Sequence, residues 1–165
     1  MKETQAAVSL ILTGADDREL LLIHRAERKD DPWSGHMALP GGRREDCDED
    51  LLATAIRETF EETGVRLKKS ELIGVLDDLR PRNRSIPKVV VRPYVFIKKR
   101  RPALKPGEEV AGCYWAPLER LKMSACRLRV PERKVPVDAY WIAPHIVWGI
   151  TQRILAAFFL QPQFR

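Results

Sequence analysis

Three glutamates in the first half of the chain, Glu58, Glu61 and Glu62, have a spacing that could support chemistry. At i, i+3 and i+4, their carboxylates project from one side of a single helical turn. Like charges at these spacings cost roughly a few tenths of a kcal/mol each, and a divalent cation would reverse that cost. Mg²⁺ suits such a cluster because it takes oxygen ligands, keeps several waters and bridges to substrate phosphates. The cluster predicts a Mg²⁺ or Mn²⁺ site; the alternative is a solvated acidic helix face.

The helix that must carry these glutamates is predicted at residues 49–63. Apolar residues recur there at helical spacing and are expected to face the core: Leu51, Leu52, Ala55 and Ile56. Asp48 and Asp50 lie near its start, where acidic side chains favour the positive end of the helix dipole. Gly64 follows where a left-handed C-terminal cap is needed. Residues 40–42, Pro-Gly-Gly, are expected to turn the chain into the helix.

This segment resembles the Nudix box, G-x5-E-x7-R-E-U-x-E-E-x-G-U, in which U is a bulky aliphatic residue. The sequence fits without a gap from Arg57 to Val65, and Glu49 stands eight residues before Arg57, as the box requires. Two positions depart from it. Gly42 is one residue too far upstream, which predicts a turn one residue longer, and Thr59 replaces the aliphatic U, which predicts a less apolar contact beneath the helix.

The resemblance implies an α/β fold, the Nudix α/β/α sandwich with a mixed sheet. It also implies a hydrolase that splits the diphosphate bridge of a nucleoside diphosphate linked to another moiety, using water and Mg²⁺ or Mn²⁺. In such an enzyme the three glutamates bind the metal, and Glu58 is also a candidate base for the water. Arg57 supports the glutamates by ion pairing, in agreement with its i, i+4 spacing to Glu61. Glu49 is expected to orient Arg57 or to reach a metal through water.

Many members of the family use a further acidic residue from a loop beyond the box. Glu108 and Glu109, ahead of a predicted strand, are the candidates here, and we assign the catalytic role to Glu109. A solvated pair of loop residues is the alternative. His24 and His36 flank the region, but a lone histidine is more often a polar core or surface residue, so neither is given a catalytic role.

Other segments resemble the coenzyme A diphosphatase branch of the family. The matching residues are Arg25, Gly35, residues 40–42, residues 93–95 and the Trp-Gly-x-Thr run at 148–151. Residues 24–26 and 34–36 depart from the Thr-Arg-Ser and histidine-glycine signatures of that branch. The resemblance implies coenzyme A or a derivative as substrate. ADP-ribose, NADH, nucleoside triphosphates, dinucleoside polyphosphates and RNA 5′ ends remain alternatives.

Substrate contacts are assigned to glycines of the Pro-Gly-Gly turn and to basic residues. Coenzyme A carries a 3′-phosphate that needs a cation. Arg80 and its neighbours in the basic loop at residues 80–87 are the candidates. Arginine suits this role because it binds phosphate through charge-assisted, often bidentate hydrogen bonds. The full assignment to substrate binding is Arg25, Gly41, Gly42, Arg82 and Arg84.

The rest of the chain predicts alternating strands and helices. Strands are predicted at residues 8–12, 20–24, 37–39, 72–79, 89–97 and 108–115, the first two as a hairpin. Pro93 cannot donate to a ladder and so indicates an edge strand or a bulge. A short helix is predicted to open at Pro117. Residues 123–136 are predicted to be irregular, and residues 142–160 to form an apolar helix in which Ile146 shares a face with Ile150.

Length and composition predict one domain spanning residues 1–165, with 44% hydrophobic and 32% charged residues. No apolar run approaches the ~20 residues of a membrane span, and the N-terminus lacks a signal-peptide pattern, so we expect a cytoplasmic protein without a membrane partner. Three cysteines without a CxxC pair predict neither disulfides nor a zinc site.

The net charge of +6 suits an anionic small-molecule substrate. Nucleic acid is not the expected partner, because the basic segments at residues 80–84 and 98–101 lack interleaved aromatic residues. The oligomeric state is open, with a homodimer among the alternatives.

Overall fold

The structure, a computed structural model, describes residues 3–14, 17–29, 34–82 and 88–164. The strands in these ranges are β1 (Thr4–Thr13), β2 (Glu19–Arg25), β3 (Met37–Ala38), β4 (Gly41–Arg43), β5 (Leu72–Val75), β6 (Val89–Lys98), β7 (Val110–Pro117), β8 (Ala125–Leu128), β9 (Val137–Ile142) and β10 (His145–Trp148). The α-helices there are α1 (Leu51–Thr63), α2 (Leu118–Met123) and α3 (Gly149–Phe159). Short 3-10 turns lie at Lys69–Glu71 and Pro162–Phe164.

The main sheet is mixed, as predicted. Strand β1 runs parallel to β6 along its whole length, from Thr4 opposite Val89 to Thr13 opposite Lys98. It is antiparallel to β2, which confirms the predicted hairpin, and to β4. Strands β3 and β7 pair with β2, and β5 pairs with the far side of β6. Because β3 and β4 enter where β2 separates from β1, the chain at residues 37–43 reaches the middle of the sheet.

The two faces of this sheet are covered by different helices. Alternate residues of a strand point to opposite faces, and here they belong to two separate cores. One core packs against α1: Ala7, Ile11, Leu21, Tyr94 and Phe96 with Ala55. The other packs against α3: Leu10, Leu12, Leu22 and Val95 with Ile154, Leu155 and Phe158. Burying each large side chain contributes about 1.5–3 kcal/mol. The result is the α/β/α layering that the resemblance implied.

Helix α1 is fixed at both ends by local chemistry. Asp50 is its N-cap, with extended backbone, and its side chain accepts a hydrogen bond from the Ala53 amide at 2.7 Å. The helix therefore begins at Leu51 and not at residue 49. Gly64 closes it in the left-handed conformation at φ 73° and donates to the Phe60 carbonyl at 2.8 Å.

The contact beneath α1 is polar where the box normally has an aliphatic residue. Thr59 is fully buried, and its hydroxyl donates to Ser9 Oγ at 2.9 Å. The Ser9 hydroxyl in turn donates to the Ala55 carbonyl at 3.3 Å. This agrees with the predicted less apolar contact. Both hydroxyls have hydrogen-bond partners inside the core, as buried polar groups require.

The region around Pro93 differs from its prediction. Strand β6 lies between β1 and β5, so Pro93 is on an inner strand, and the irregular pairing with β5 falls elsewhere, between Leu72 and Gly74. Strand β5 ends at Val75, and the Pro93 carbonyl accepts from the Leu76 amide, one residue beyond that end. The missing N–H of proline therefore faces the place where the β5 ladder stops. The predicted strand at 72–79 is correspondingly short.

The C-terminal third contains strands that the sequence did not predict. Strands β8, β9 and β10 form a small antiparallel sheet in place of the predicted irregular stretch and the first turns of the predicted helix. Helix α3 begins only at Gly149, so Ile146 lies on a strand. The reason is that Val147 is buried against the main core and Pro144, which is excluded from helix interiors, sits in the connection before β10.

Across the described ranges, every helix is too short or too polar to cross a membrane.

Candidate active site

We call the region between α1 and β4 that contains the buried carboxylate of Glu62 the cleft. The Glu62 side chain is only 6% exposed, and Oε2 accepts a hydrogen bond from the Gly41 amide at 2.8 Å. Nη1 of Arg25, at the end of β2, lies 3.6 Å from Oε1. Burial raises the pKa of Glu62 from its ordinary value of 4.5 to about 8, because these two contacts only partly replace the lost hydration.

Glu58 lies one turn earlier on α1, over the backbone of Gly42. A Cβ at Gly42 would lie 2.5 Å from the Glu58 carboxylate, so glycine leaves room that any other residue would fill. Burial raises the pKa of Glu58, and Arg57 opposes that rise. Glu61, 54% exposed, completes the turn at the rim of the cleft. The three glutamates thus differ in burial although they share one helical turn.

Gly41 and Gly42 belong to strand β4, paired with β1, and do not form the predicted turn. Gly41 has φ 151°, and a Cβ there would lie 2.2 Å from the Ala7 carbonyl oxygen. The close approach of β4 to β1 brings the Gly41 amide to Glu62. The predicted substrate-binding glycines therefore contact the carboxylates of α1 in this structure.

Arg57 joins the glutamates to a second acidic residue. Its Nη1 donates to Glu58 Oε1 at 3.0 Å and to Glu61 Oε2 at 3.2 Å, while Nε and Nη2 form a bidentate pair with Asp48, both at 2.9 Å. Asp48 also accepts from the Thr54 hydroxyl at 2.9 Å. The Arg57 guanidinium holds the pKa of Asp48 well below its usual range. Arg57 is therefore fixed by a satisfied network on the side away from Glu62.

Glu49 does not orient Arg57, the first of the two roles predicted for it, whereas the second, reaching a metal through water, stays a prediction. Its side chain is 82% exposed, and it lies 3.9 Å from Lys69 rather than beside Arg57. Asp48 holds Arg57 instead, and Asp48 stands six residues after Gly42, the spacing that the box requires between its glycine and its acid. The extra residue of this chain therefore lies between Asp48 and Arg57 and does not lengthen a glycine turn. Counting forward from the glycine was the signal that could have found Asp48.

The loop before β7 closes over the C-terminal end of α1. Amides of Gly107 and Lys105 donate to the carbonyls of Glu62 and Thr63, at 3.0 and 2.8 Å. Any Cβ at Gly107 would lie 2.2 Å from the Glu61 carbonyl oxygen, so this contact requires glycine. The sequence patterns did not single out Gly107.

This loop places Glu109 beside the chain that leaves β2. Its carboxylate accepts from Arg28 Nη1 at 2.8 Å, and its carbonyl accepts from the Ala26 amide at 2.9 Å. The charge of Glu109 makes a small contribution to the raised pKa of Glu62. Glu108 is exposed on the same turn.

Arg80, in the predicted basic loop, lies away from the carboxylates. It pairs with Glu3 at 2.8 Å, and its carbonyl accepts from Arg153 of α3. Burial and the charge of Arg82 lower the pKa of Arg153, and the assignment of Arg82 to substrate binding stays a prediction. Helix α3 covers the face of the sheet opposite α1, so the structure brings Arg25 but not Arg80 to the carboxylates. The reason is that the chain leaves β5 early and turns toward α3. Arg84 is outside the described residues.

The donors in this cleft fit a divalent cation chemically. All are carboxylate oxygens, the ligands that Mg²⁺ and Mn²⁺ prefer. Glu62 is buried with too little positive charge to keep it ionised at neutral pH, and Gly42 leaves space beside Glu58. In the part of the chain that the structure describes, no three acidic, histidine or cysteine side chains are already gathered around one point. The glutamates would have to converge on an ion.

The sequence matches known proteins over most of its length. Residues 3–142 of the chain match the family described as NUDIX domain. An uncharacterized protein of Schizosaccharomyces pombe is 40% identical over 116 residues, which cover 67% of this chain but only 35% of that protein. The uncharacterized Nudix hydrolase NudL of Yersinia pestis is 31% identical over 157 residues, covering 92% of this chain and 76% of NudL.

Solved structures share the fold at lower identity. A MutT/nudix family protein from Enterococcus faecalis superimposes with a TM-score of 0.69 at 21% identity, covering 97% of this chain and 62% of that one. The NUDIX domain of Shewanella oneidensis NrtR, complexed with ADP ribose, has a TM-score of 0.60 at 23% identity, covering 74% and 78% of the two chains. From the sequence match and the shared fold together, the chain belongs to the Nudix family.

Proposed function

We propose that this protein is a metal-dependent Nudix hydrolase that cleaves the diphosphate bond of a nucleoside diphosphate linked to another moiety. The observation that carries the proposal is the buried Glu62 carboxylate, 6% exposed and with a pKa raised to about 8, next to Glu58 and Glu61 on one turn. A buried acid with so little compensation is costly for the fold, and such sites concentrate where function requires them.

The glutamates are proposed to hold a divalent ion, and Nudix hydrolases generally use divalent metal ions. Glu58, Glu61 and Glu62 would be the ligands, with Mg²⁺ or Mn²⁺ as the ion. When bound, such an ion neutralises diphosphate charge and makes attack by water easier. Arg57 keeps Glu58 and Glu61 in position, through contacts of 3.0 and 3.2 Å. The Gly41 amide orients Glu62 by donating a hydrogen bond to its carboxylate at 2.8 Å.

Two carboxylates are our candidates for the base that takes the proton from the attacking water. Glu58 is half-buried, and its raised pKa brings it nearer to neutral pH, where a base works best. Glu109 is exposed and is held by Arg28 at 2.8 Å. Arg25, 3.6 Å from Glu62, is the residue that we propose to bind a substrate phosphate beside the carboxylates.

Coenzyme A or a coenzyme A derivative is the substrate that we propose to test first. The support is the set of sequence segments at residues 25–42, 93–95 and 148–151 that resemble the coenzyme A diphosphatase branch. Arg82 stays a proposed contact to the 3′-phosphate of coenzyme A. ADP-ribose, NADH, dinucleoside polyphosphates, nucleoside triphosphates and RNA 5′ ends are kept as alternatives.

The experiment is a hydrolysis panel with products identified by mass. Wild type and Glu62→Gln would be incubated with Mg²⁺ or Mn²⁺ and each candidate phosphoanhydride, with EDTA as a further control. We expect coenzyme A to give 4′-phosphopantetheine and 3′,5′-ADP, and the variant and EDTA to suppress turnover. Failure to split any phosphoanhydride, or full turnover in EDTA, would contradict the proposal.

We further propose that residues 1–165 form a single domain in the cytoplasm. The support for one domain is that α3, beyond the matched NUDIX residues 3–142, packs on the same sheet as the rest of the chain. The support for the cytoplasm is that Cys47, Cys113 and Cys126 are all free thiols.

A further inference from the structure

The small C-terminal sheet carries an aromatic and charged cluster that the proposed chemistry does not use. Trp148, at the end of β10, lies six residues beyond the matched NUDIX residues 3–142. Its ring centroid is 4.9 Å from that of His36, and the Arg133 guanidinium carbon lies 5.9 Å over the Trp148 ring. His36 Nε2 is 3.6 Å from Glu132 Oε1. We call these four residues the Trp148 cluster.

Arg133 lies over the Trp148 ring but is not centred on it at stacking distance. Stacked planar groups are about 3.5 Å apart, whereas the Arg133 guanidinium carbon is 5.9 Å from the ring centroid. Arg133 is exposed, on the turn between β8 and β9, so its side chain can move outward without disturbing the core. Such a movement would let a flat ring enter between the guanidinium and the indole.

The cluster is next to the cleft that contains Glu62. The Arg25 amide donates to the His36 carbonyl at 3.0 Å, which makes these two residues neighbours across β2 and the start of β3. The guanidinium of Arg25 lies 3.6 Å from Glu62. Directly opposed residues of neighbouring strands have Cβ atoms about 4.5–5.5 Å apart. His36 and Trp148 are therefore within reach of the other end of a ligand whose phosphates lie at Arg25.

We propose that Trp148 and Arg133 form a clamp for the nucleobase of the substrate, with His36 and Glu132 at the edge of the ring. Bases stack on aromatic rings and on arginine planes. An imidazole and a carboxylate supply polar groups for the exocyclic atoms of the base. This inference rests on the proposed function for the identification of the ligand as a nucleotide.

The test compares AMP with ribose 5-phosphate, which lacks the base. Equilibrium titration of the wild type with Mg²⁺ present is expected to show AMP binding roughly tenfold or more tightly than ribose 5-phosphate. Trp148→Leu should remove that difference, and Trp148→Phe should keep most of it. Arg133→Ala, a change at an exposed turn that does not threaten folding, should reduce it several-fold.

The matched control is Arg127→Ala, which removes an exposed arginine of β8 that pairs with Asp138 and not with Trp148. It should bind AMP like the wild type. Equal wild-type affinities for AMP and ribose 5-phosphate, or an unchanged AMP preference in both Arg133→Ala and Trp148→Leu, would overturn the clamp. If the protein hydrolyses a phosphoanhydride of the panel but the wild type binds AMP and ribose 5-phosphate equally, the clamp is excluded and the proposed reaction stands. If both variants lose the preference for AMP but no phosphoanhydride is hydrolysed, the proposed reaction is excluded and the clamp stands.

Discussion

Asp48, just before helix α1, and Glu62, within it, are two carboxylates that behave in opposite ways although both are nearly inaccessible to solvent. Their side chains are 3% and 6% exposed. Asp48 receives a bidentate pair from Arg57, together with hydrogen bonds from the Thr54 hydroxyl and the Glu45 amide, and its pKa is lowered. Glu62 has the Gly41 amide at 2.8 Å and Arg25 only at 3.6 Å, and its pKa is raised to about 8.

The difference predicts different roles for the two regions. Partners, and not burial alone, decide whether a buried acid is ionised. Around Asp48 the charges are compensated within the protein, so the network has a structural role. Around Glu62 the compensation is incomplete, so positive charge from outside the chain would stabilise the ionised form. The contrast between the two carboxylates makes four predictions, given from the largest expected effect to the smallest.

Glu62→Gln should reduce kcat by roughly 10²–10⁴-fold while leaving the fold intact. The reason is that a metal ligand contributes several kcal/mol to transition-state stabilisation, and each 1.4 kcal/mol corresponds to about tenfold in rate. Steady-state kinetics on whichever substrate the panel identifies would measure it, with circular dichroism as the control for folding. Wild-type turnover in this variant would exclude Glu62 from the reaction.

Stability without metal should fall as the pH rises, and Glu62→Gln should weaken that fall. With a pKa raised from 4.5 to about 8, folded Glu62 keeps a proton that the unfolded chain releases, so the folded state loses stability between about pH 5 and pH 8. The effect is at most about 5 kcal/mol, because one pKa unit corresponds to about 1.4 kcal/mol. Denaturant unfolding in EDTA at pH 5.5 and 8.5 would measure it. If the free energy of unfolding changed by the same amount between the two pH values in wild type and variant, the prediction would be wrong.

Asp48→Asn should destabilise the protein by roughly 2–4 kcal/mol, because it breaks a buried pair and leaves Arg57 with weaker acceptors. Glu49→Gln is the matched control, one residue away and 82% exposed, and should change stability by less than about 0.5 kcal/mol. Thermal unfolding of the two variants at pH 7 measures the loss of stability in each. A larger loss in Glu49→Gln than in Asp48→Asn would indicate that Glu49, and not Asp48, supports Arg57.

Glu109→Gln should have the smallest of the four effects, a loss of roughly tenfold in kcat across the pH range, which corresponds to about 1.4 kcal/mol, because Glu109 is exposed and its charge is already paired with Arg28. Glu108→Gln, on the same exposed turn, should stay close to the wild-type rate. Unchanged rates in both variants would leave Glu58 as the base that takes the proton.

The sequence was informative where one local pattern determines the structure. The spacing of Glu58, Glu61 and Glu62, the cap at Gly64 and the hairpin of β1 and β2 all depend on near neighbours, and the structure contains the helix, the cap and the hairpin. Arg57 was predicted to pair with the glutamates, and its i, i+4 contact with Glu61 is 3.2 Å.

What the sequence did not predict depends on distant contacts. Asp48 was missed because its role follows from the path of the chain between Gly42 and α1, not from its distance to Arg57. Strand β10 was read as helix because its apolar residues suit either structure, and Val147 is buried against a core that only the folded chain supplies. Gly107 matters because a loop reaches the end of α1, a contact without a local sequence signature.

The most direct test of the central claim is to count the protons released when Mn²⁺ binds at pH 7. Titration calorimetry in buffers of different ionisation enthalpy measures this number. If the glutamates of α1 bind the ion, Glu62 must lose the proton that its raised pKa retains, so about one proton should be released per ion in the wild type and close to none in Glu62→Gln. Binding of Mn²⁺ without proton release, or with equal release in both proteins, would show that the ion does not bind at Glu62.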